Sequence, residues 1–166
     1  MAIMFNLNEV FVMAIQMEDN AANFYRRAGK LRAVRERGET AFWEDLAAME
    51  EQHKEVFTAM RETAAREGTS AAQELAPEGA LYLSAIAGGF PVEGAPLITE
   101  KLSGRESLAD ILQLAIELEK KSILFYQELK ELVPDQAEKD RVAEIISQER
   151  QHVVDLQRKR EAFQKK

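Results

Sequence analysis

Residues 14–25, AIQMEDNAANFY, can be laid over residues 115–126, AIELEKKSILFY, so that Glu18 falls on Glu119 and Tyr25 on Tyr126. This internal match constrains the fold more than any other feature of the chain, because a duplicated segment calls for two similar halves packed against each other. The match continues downstream. Only two histidines occur, and each follows a glutamate by three positions: Glu50-Glu51-Gln52-His53 and Glu149-Arg150-Gln151-His152. Residues three apart on an α-helix share one face, about 60° and roughly 4.5 Å of rise apart, so carboxylate and imidazole can converge on one metal ion. A strand would send them to opposite faces.

Apolar residues recur at helical spacing over four segments, predicting helices near 7–34, 39–66, 107–133 and 135–163, with Gly and Pro nearly confined to the stretches between them. In the first, Leu7, Phe11, Ala14, Glu18, Ala21, Tyr25 and Ala28 form one stripe; in the third, Leu108, Ala115, Glu119, Ser122, Tyr126 and Leu129 repeat it. Each stripe therefore carries a carboxylate in the middle of its core face. Asn6 or Asn8 can cap the first helix, Gly38 precedes the second, and Ser107 with Asp110 and Pro134-Asp135 with Glu138 mark the starts of the third and fourth. These elements predict an all-α single domain over residues 1–166. Two pseudo-repeated hairpins, 7–66 and 107–163, form a four-helix bundle, joined by a connector at 67–106.

That connector far exceeds the roughly 2–8 residues usual between bundle helices. Its length is explained if the hairpins pack about a two-fold axis, because the second and third helices then run parallel and the chain must travel the whole bundle. Its apolar residues, Leu81, Tyr82, Leu83, Ile86, Phe90, Val92, Leu97 and Ile98, are expected to cover the core or to meet a second subunit.

At 166 residues and 46% hydrophobic content, the chain suits one domain with a real core. A net charge of −7 without a basic stripe argues against nucleic acid as a partner. The absence of cysteine removes disulfides, zinc ribbons, iron–sulfur ligation and cysteine nucleophiles. The N-terminal MAIMFNLNEV lacks the basic and long apolar regions of a secretory signal. The apolar stretch 80–99 is cut by Gly88-Gly89, Pro91, Glu93, Gly94 and Pro96, so it cannot form a spanning helix. A cytoplasmic protein without a membrane partner is expected.

With these residues in order, the sequence resembles the ferritin-like di-iron carboxylate proteins, most closely the bundle domain of rubrerythrins. Their pattern is one Glu from each of two helices and Glu-x-x-His from each of the other two. Here the matching positions are Glu18, Glu119, Glu50 with His53, and Glu149 with His152. The resemblance implies two iron ions, with Mn or Zn as possible substitutes. Glu18 and His53 would serve one, Glu119 and His152 the other, and Glu50 and Glu149 would bridge them. Four carboxylates would balance two divalent ions. Tyr25 and Tyr126, two turns beyond Glu18 and Glu119, are placed to hydrogen-bond a ligating carboxylate from a facing helix; the competing reading makes them ordinary core tyrosines. Glu51 and Glu117 are expected outside the site.

Two departures from the rubrerythrin pattern bear on function. Without cysteine there is no rubredoxin-type centre, so electrons for a reduction must come from a separate donor protein. Rubrerythrins also carry a further glutamate one turn after the third-helix ligand, where this chain has Lys121, Ser122 and Ile123. The resemblance implies a di-iron oxidoreductase, peroxidase or ferroxidase, that reacts Fe(II) with dioxygen or peroxide in oxidative-stress defence, in a homodimer. Iron binding or storage in a larger oligomer is the alternative, and a metal-free structural helical module is a third.

Overall fold

In the computed structural model, residues 5–69, 74–86 and 102–165 are described. They form α1 (Leu7–Lys30), α2 (Arg32–Arg35), α3 (Thr40–Glu67), α4 (Pro77–Ile86), α5 (Leu108–Leu132) and α6 (Gln136–Gln164). Three starts have local causes. Asn6 and Glu9 make a reciprocal capping box for α1, as Ser107 and Asp110 do for α5, and the Asp135 carboxylate accepts from the Glu138 N–H at α6. Gly68 ends α3 at φ +70°, a left-handed conformation that glycine adopts without steric cost. Val133 is held extended by the proline after it and closes α5.

Two boundaries depart from the sequence-based expectation. The first helix stops at Lys30 rather than near residue 34, because Leu31 is extended and α2 is a separate single turn. The break coincides with close packing against the next helix. A Cβ on Gly29 would lie 3.3 Å from the Trp43 Cβ, and the Thr40 hydroxyl donates to the Gly29 carbonyl at 3.1 Å, so the last turn of α1 is held against the first turn of α3 while α2 makes the connection. The connector contains α4, which the sequence reading left irregular. Ala80, Leu83 and Ile86 are buried on the α5 side, whereas Leu81 and Tyr82, expected to pack, face outward. Phe90, Val92, Leu97 and Ile98 lie outside the described residues.

The long helices pair as two hairpins, α1 with α3 and α5 with α6, and α1 packs on α5. The directions follow from cross-contacts. Tyr126 reaches Glu18, and Tyr25 reaches Glu119, so α1 and α5 are antiparallel. As α3 returns antiparallel to α1, α3 and α5 run parallel, and the connector has the full bundle length to cover. Its described ends fit: the Leu75 N–H donates to the Phe5 carbonyl beside the start of α1, and Arg27 near the end of α1 donates to the Leu102 carbonyl. All thirteen residues of the two predicted stripes are buried. Among the described residues no helix is long and apolar enough to cross a membrane.

Among the described residues the apolar core is not continuous. One cluster gathers Leu7, Phe11, Phe57, Leu83, Phe125 and Ile145. A second gathers Phe24, Trp43, Leu102, Ile111, Leu112 and Leu156. Between them lies a layer of buried polar side chains: Glu18, Glu50, His53, Glu119, Glu149 and His152.

Candidate metal centre

Each long helix contributes to that layer from its middle. α1 and α5 give one glutamate each, and α3 and α6 give an i, i+3 glutamate–histidine pair. All six side chains are at most 3% exposed. They fall into two overlapping groups of four, Glu18, Glu50, His53 and Glu149, then Glu50, Glu119, Glu149 and His152; within each, the donor atoms lie within 4.8 Å of one another. Glu50 and Glu149 belong to both.

The imidazoles present Nδ1 to the carboxylates. His53 Nδ1 is 3.1 Å from Glu149 Oε1, 3.4 Å from Glu50 Oε2 and 3.7 Å from Glu18 Oε2. His152 Nδ1 is 2.9 Å from Glu149 Oε2, 3.2 Å from Glu50 Oε1 and 3.5 Å from Glu119 Oε1. Adjacent donors bound at about 2.1 Å would be about 3.0 Å apart on an octahedral ion and about 3.4 Å apart on a tetrahedral one. The observed spacings cover that range. Moreover, Glu50 Oε1, His53 Nδ1 and Glu149 Oε1 are fully buried without a hydrogen-bond partner. Orphaned buried polar atoms cost about 1–3 kcal/mol each. These atoms lie close together without meeting hydrogen-bond geometry. The donor set of oxygen and imidazole nitrogen suits a pair of divalent transition-metal ions.

Protons take the place of positive charge when no metal is bound. Burial, with Glu149 and Glu50 adding repulsion, pushes the Glu18 and Glu119 carboxyls well above the usual carboxylate range. Glu149 moves the other way: burial opposes its ionisation, but contact with His152 and His53 overcomes this and holds it at about 2. Burial alone would keep both rings neutral. The surrounding carboxylates outweigh it, pushing His152 up to about 12 through Glu119, Glu149 and Glu50, and raising His53 strongly through Glu149, Glu18 and Glu50.

The tyrosines cross between hairpins. Tyr126 donates to Glu18 Oε1 at 2.5 Å, and Tyr25 donates to Glu119 Oε1. Burial and the adjoining carboxylates raise both phenols well above their ordinary value, so both hydroxyls stay donors. Glu51 lies outside, paired with Arg26 at 2.8 Å, and Glu117 is exposed beside Lys120. Ser122, one turn beyond Glu119, is buried and donates to the Leu118 carbonyl of its own helix, so it adds no ligand.

Two contacts were not anticipated from sequence. His53 Nε2 lies 2.6 Å from Gln148 Oε1, and His152 Nε2 lies 3.4 Å from the Met49 sulfur. The available signal was position: Met49 and Gln148 each immediately precede the glutamate of a Glu-x-x-His pair.

No family model matches the chain, and no characterised protein matches its sequence. Among solved structures, the chain is similar to a protein of Thermotoga maritima described as a candidate ferritin-like diiron-carboxylate protein, with 24% identity, a TM-score of 0.73 and 95% of each chain covered. The likeness is one of fold. The architecture is the ferritin-like helical bundle that the resemblance of the sequence implied.

Proposed function

We propose that this protein holds two iron ions in the polar layer and oxidises Fe(II) with dioxygen or peroxide, as a rubrerythrin-type di-iron oxidoreductase. Glu18 and His53 would hold one ion, Glu119 and His152 the other, and Glu50 and Glu149 both. What carries the reading is the set of orphaned donor atoms, Glu50 Oε1, His53 Nδ1 and Glu149 Oε1, buried at ligand spacing in a centre repeated by both halves of the chain. Iron, when bound, would supply the electron transfer to oxygen, and the protein supplies placement, charge and exclusion of water.

The residues divide that work. Each histidine must give up its Nδ1 proton and keep the one on Nε2 to act as a ligand. Glu18 and Glu119 must likewise lose their protons, and the four carboxylates then balance two divalent ions in a layer closed by apolar clusters on both sides. The tyrosine hydroxyls pin one oxygen of Glu18 and one of Glu119, limiting the rotation of each carboxylate. With no cysteine in these residues to ligate a rubredoxin-type iron, we propose that electrons arrive from a separate donor protein.

The test joins three measurements on protein purified without chelators: metal content per chain, solution mass, and the rate at which the anaerobically reduced protein reacts with peroxide and with dioxygen. Two irons per chain on a small oligomer, with oxidation much faster than that of aqueous Fe(II), is the expected result. Iron that reacts no faster than in water would overturn the oxidoreductase reading. A large closed particle that accumulates many irons per chain would favour storage.

A further inference from the structure

We propose that Gln148 makes the two metal positions unequal, by holding His53 in its ligating tautomer and orientation, so that the position shared by Glu18 and His53 fills before that of Glu119 and His152. This rests on the metal-centre reading above. In both halves, Nδ1 faces the carboxylates and Nε2 faces out of the layer toward the opposite hairpin. The residue met there differs: the oxygen of Gln148 at 2.6 Å for His53, the sulfur of Met49 at 3.4 Å for His152. Gln148 and Met49 occupy matched positions in the repeat, so the two-fold relation fails at the atoms that orient the rings.

The chemical consequence has a sign. A carboxamide oxygen is a strong acceptor for the Nε2 proton: it fixes the ring, selects the tautomer with a free Nδ1 lone pair and makes that nitrogen a better donor. A thioether sulfur is a weak acceptor and does each of these less well. Partners of this kind change metal affinity by about 10–100-fold. Access, which bears on the rate of uptake and not on the equilibrium order, favours the same position. α3 and α6 make the sparsest contact among neighbouring long helices, and between them an open groove of about 510 Å³ is lined by Gln52, His53, Glu55, Arg141, Glu144 and Gln148. An ion arriving by that groove meets the His53 position first, with the half-buried Gln148 beside it.

Titration of the metal-free protein with Zn(II), followed by calorimetry and by ¹⁵N spectra of labelled histidine, tests this without reference to activity. The expected result is two steps separated by about tenfold or more, with the His53 ring responding at the first equivalent and His152 at the second. Gln148→Met should weaken the first step about 10–100-fold and merge the two. Gln148→Glu, which restores an oxygen acceptor, should preserve the order, and Met49→Gln should tighten the second step. Indistinguishable steps with both rings responding together, or equal weakening of both steps in Gln148→Met, would overturn the inference while leaving the metal centre intact. Failure of the unaltered protein to take up any metal would instead overturn the reading on which it rests.

Discussion

If the polar layer holds two ions that share Glu50 and Glu149, as proposed, metal binding should stabilise this fold. Metal that binds only the folded state at a hundred times its Kd adds about 2.7 kcal/mol per site, hence about 5 kcal/mol for two. For a chain of this length each kcal/mol moves the midpoint by about 2–4 °C, so saturating Mn(II) should raise Tm by about 10–20 °C. The informative perturbation is Glu50→Gln with Glu149→Gln, because these carboxylates belong to both donor groups and are fully buried among the ligands. The amides keep the shape but lose the charge. The variant's own Tm without metal will differ, since Glu149 also pairs with both imidazoles, so the quantity to compare is the shift on adding metal. Thermal unfolding by far-UV circular dichroism, with and without Mn(II), should show the large shift in the unaltered protein and little in the variant. Equal shifts in the two proteins would place the bound metal elsewhere and refute the reasoning.

Metal-free stability and metal uptake should depend on pH in opposite directions. Raised His53 and His152 contribute stability that is complete below their ordinary value of 6.5 and is lost as pH rises toward about 12 for His152. Raised Glu18 and Glu119 contribute in the same sense from 4.5 upward, whereas depressed Glu149 contributes above 4.5 and loses its contribution as pH falls toward about 2. Urea unfolding of metal-free protein should therefore show greatest stability at mildly acidic pH, while Zn(II) affinity from calorimetry should rise from pH 5 to pH 8, with protons released on binding. Tyr25→Phe and Tyr126→Phe should each retain two metal ions but bind them about tenfold or more weakly, measured by competition with a chelating dye; unchanged affinity would make the tyrosines packing residues only. Phe57→Ala, which empties space beside Tyr126, should cost about 3–5 kcal/mol in urea unfolding, with metal stoichiometry unchanged.

Much of this was legible because it is local. The i, i+3 pairs and the stripes through Glu18 and Glu119 follow from helical periodicity alone, and the repeat then places four carboxylates and two imidazoles at one level. What escaped depends on contacts between helices. The stop at Leu31 goes with Gly29 meeting Trp43, a residue on the next helix. α4 is short, and its inward face of Ala80, Leu83 and Ile86 becomes distinct only once α5 is there to receive it. The roles of Gln148 and Met49 likewise required the register of α3 against α6, which no spacing along one helix contains.

The division of the core into two apolar clusters also governs how the hairpins can align. Apolar helix faces tolerate sliding, since one leucine serves nearly as well as the next. Here, displacing α1 along α5 by one turn, about 5.4 Å, would separate Glu18 from Tyr126 and drive its carboxylate among the aromatic and aliphatic side chains around Phe125 and Leu129. An unpaired carboxyl in such surroundings costs several kcal/mol, comparable to the whole stability of a domain. The polar layer thus acts as a detent that locks two similar halves into a single alignment.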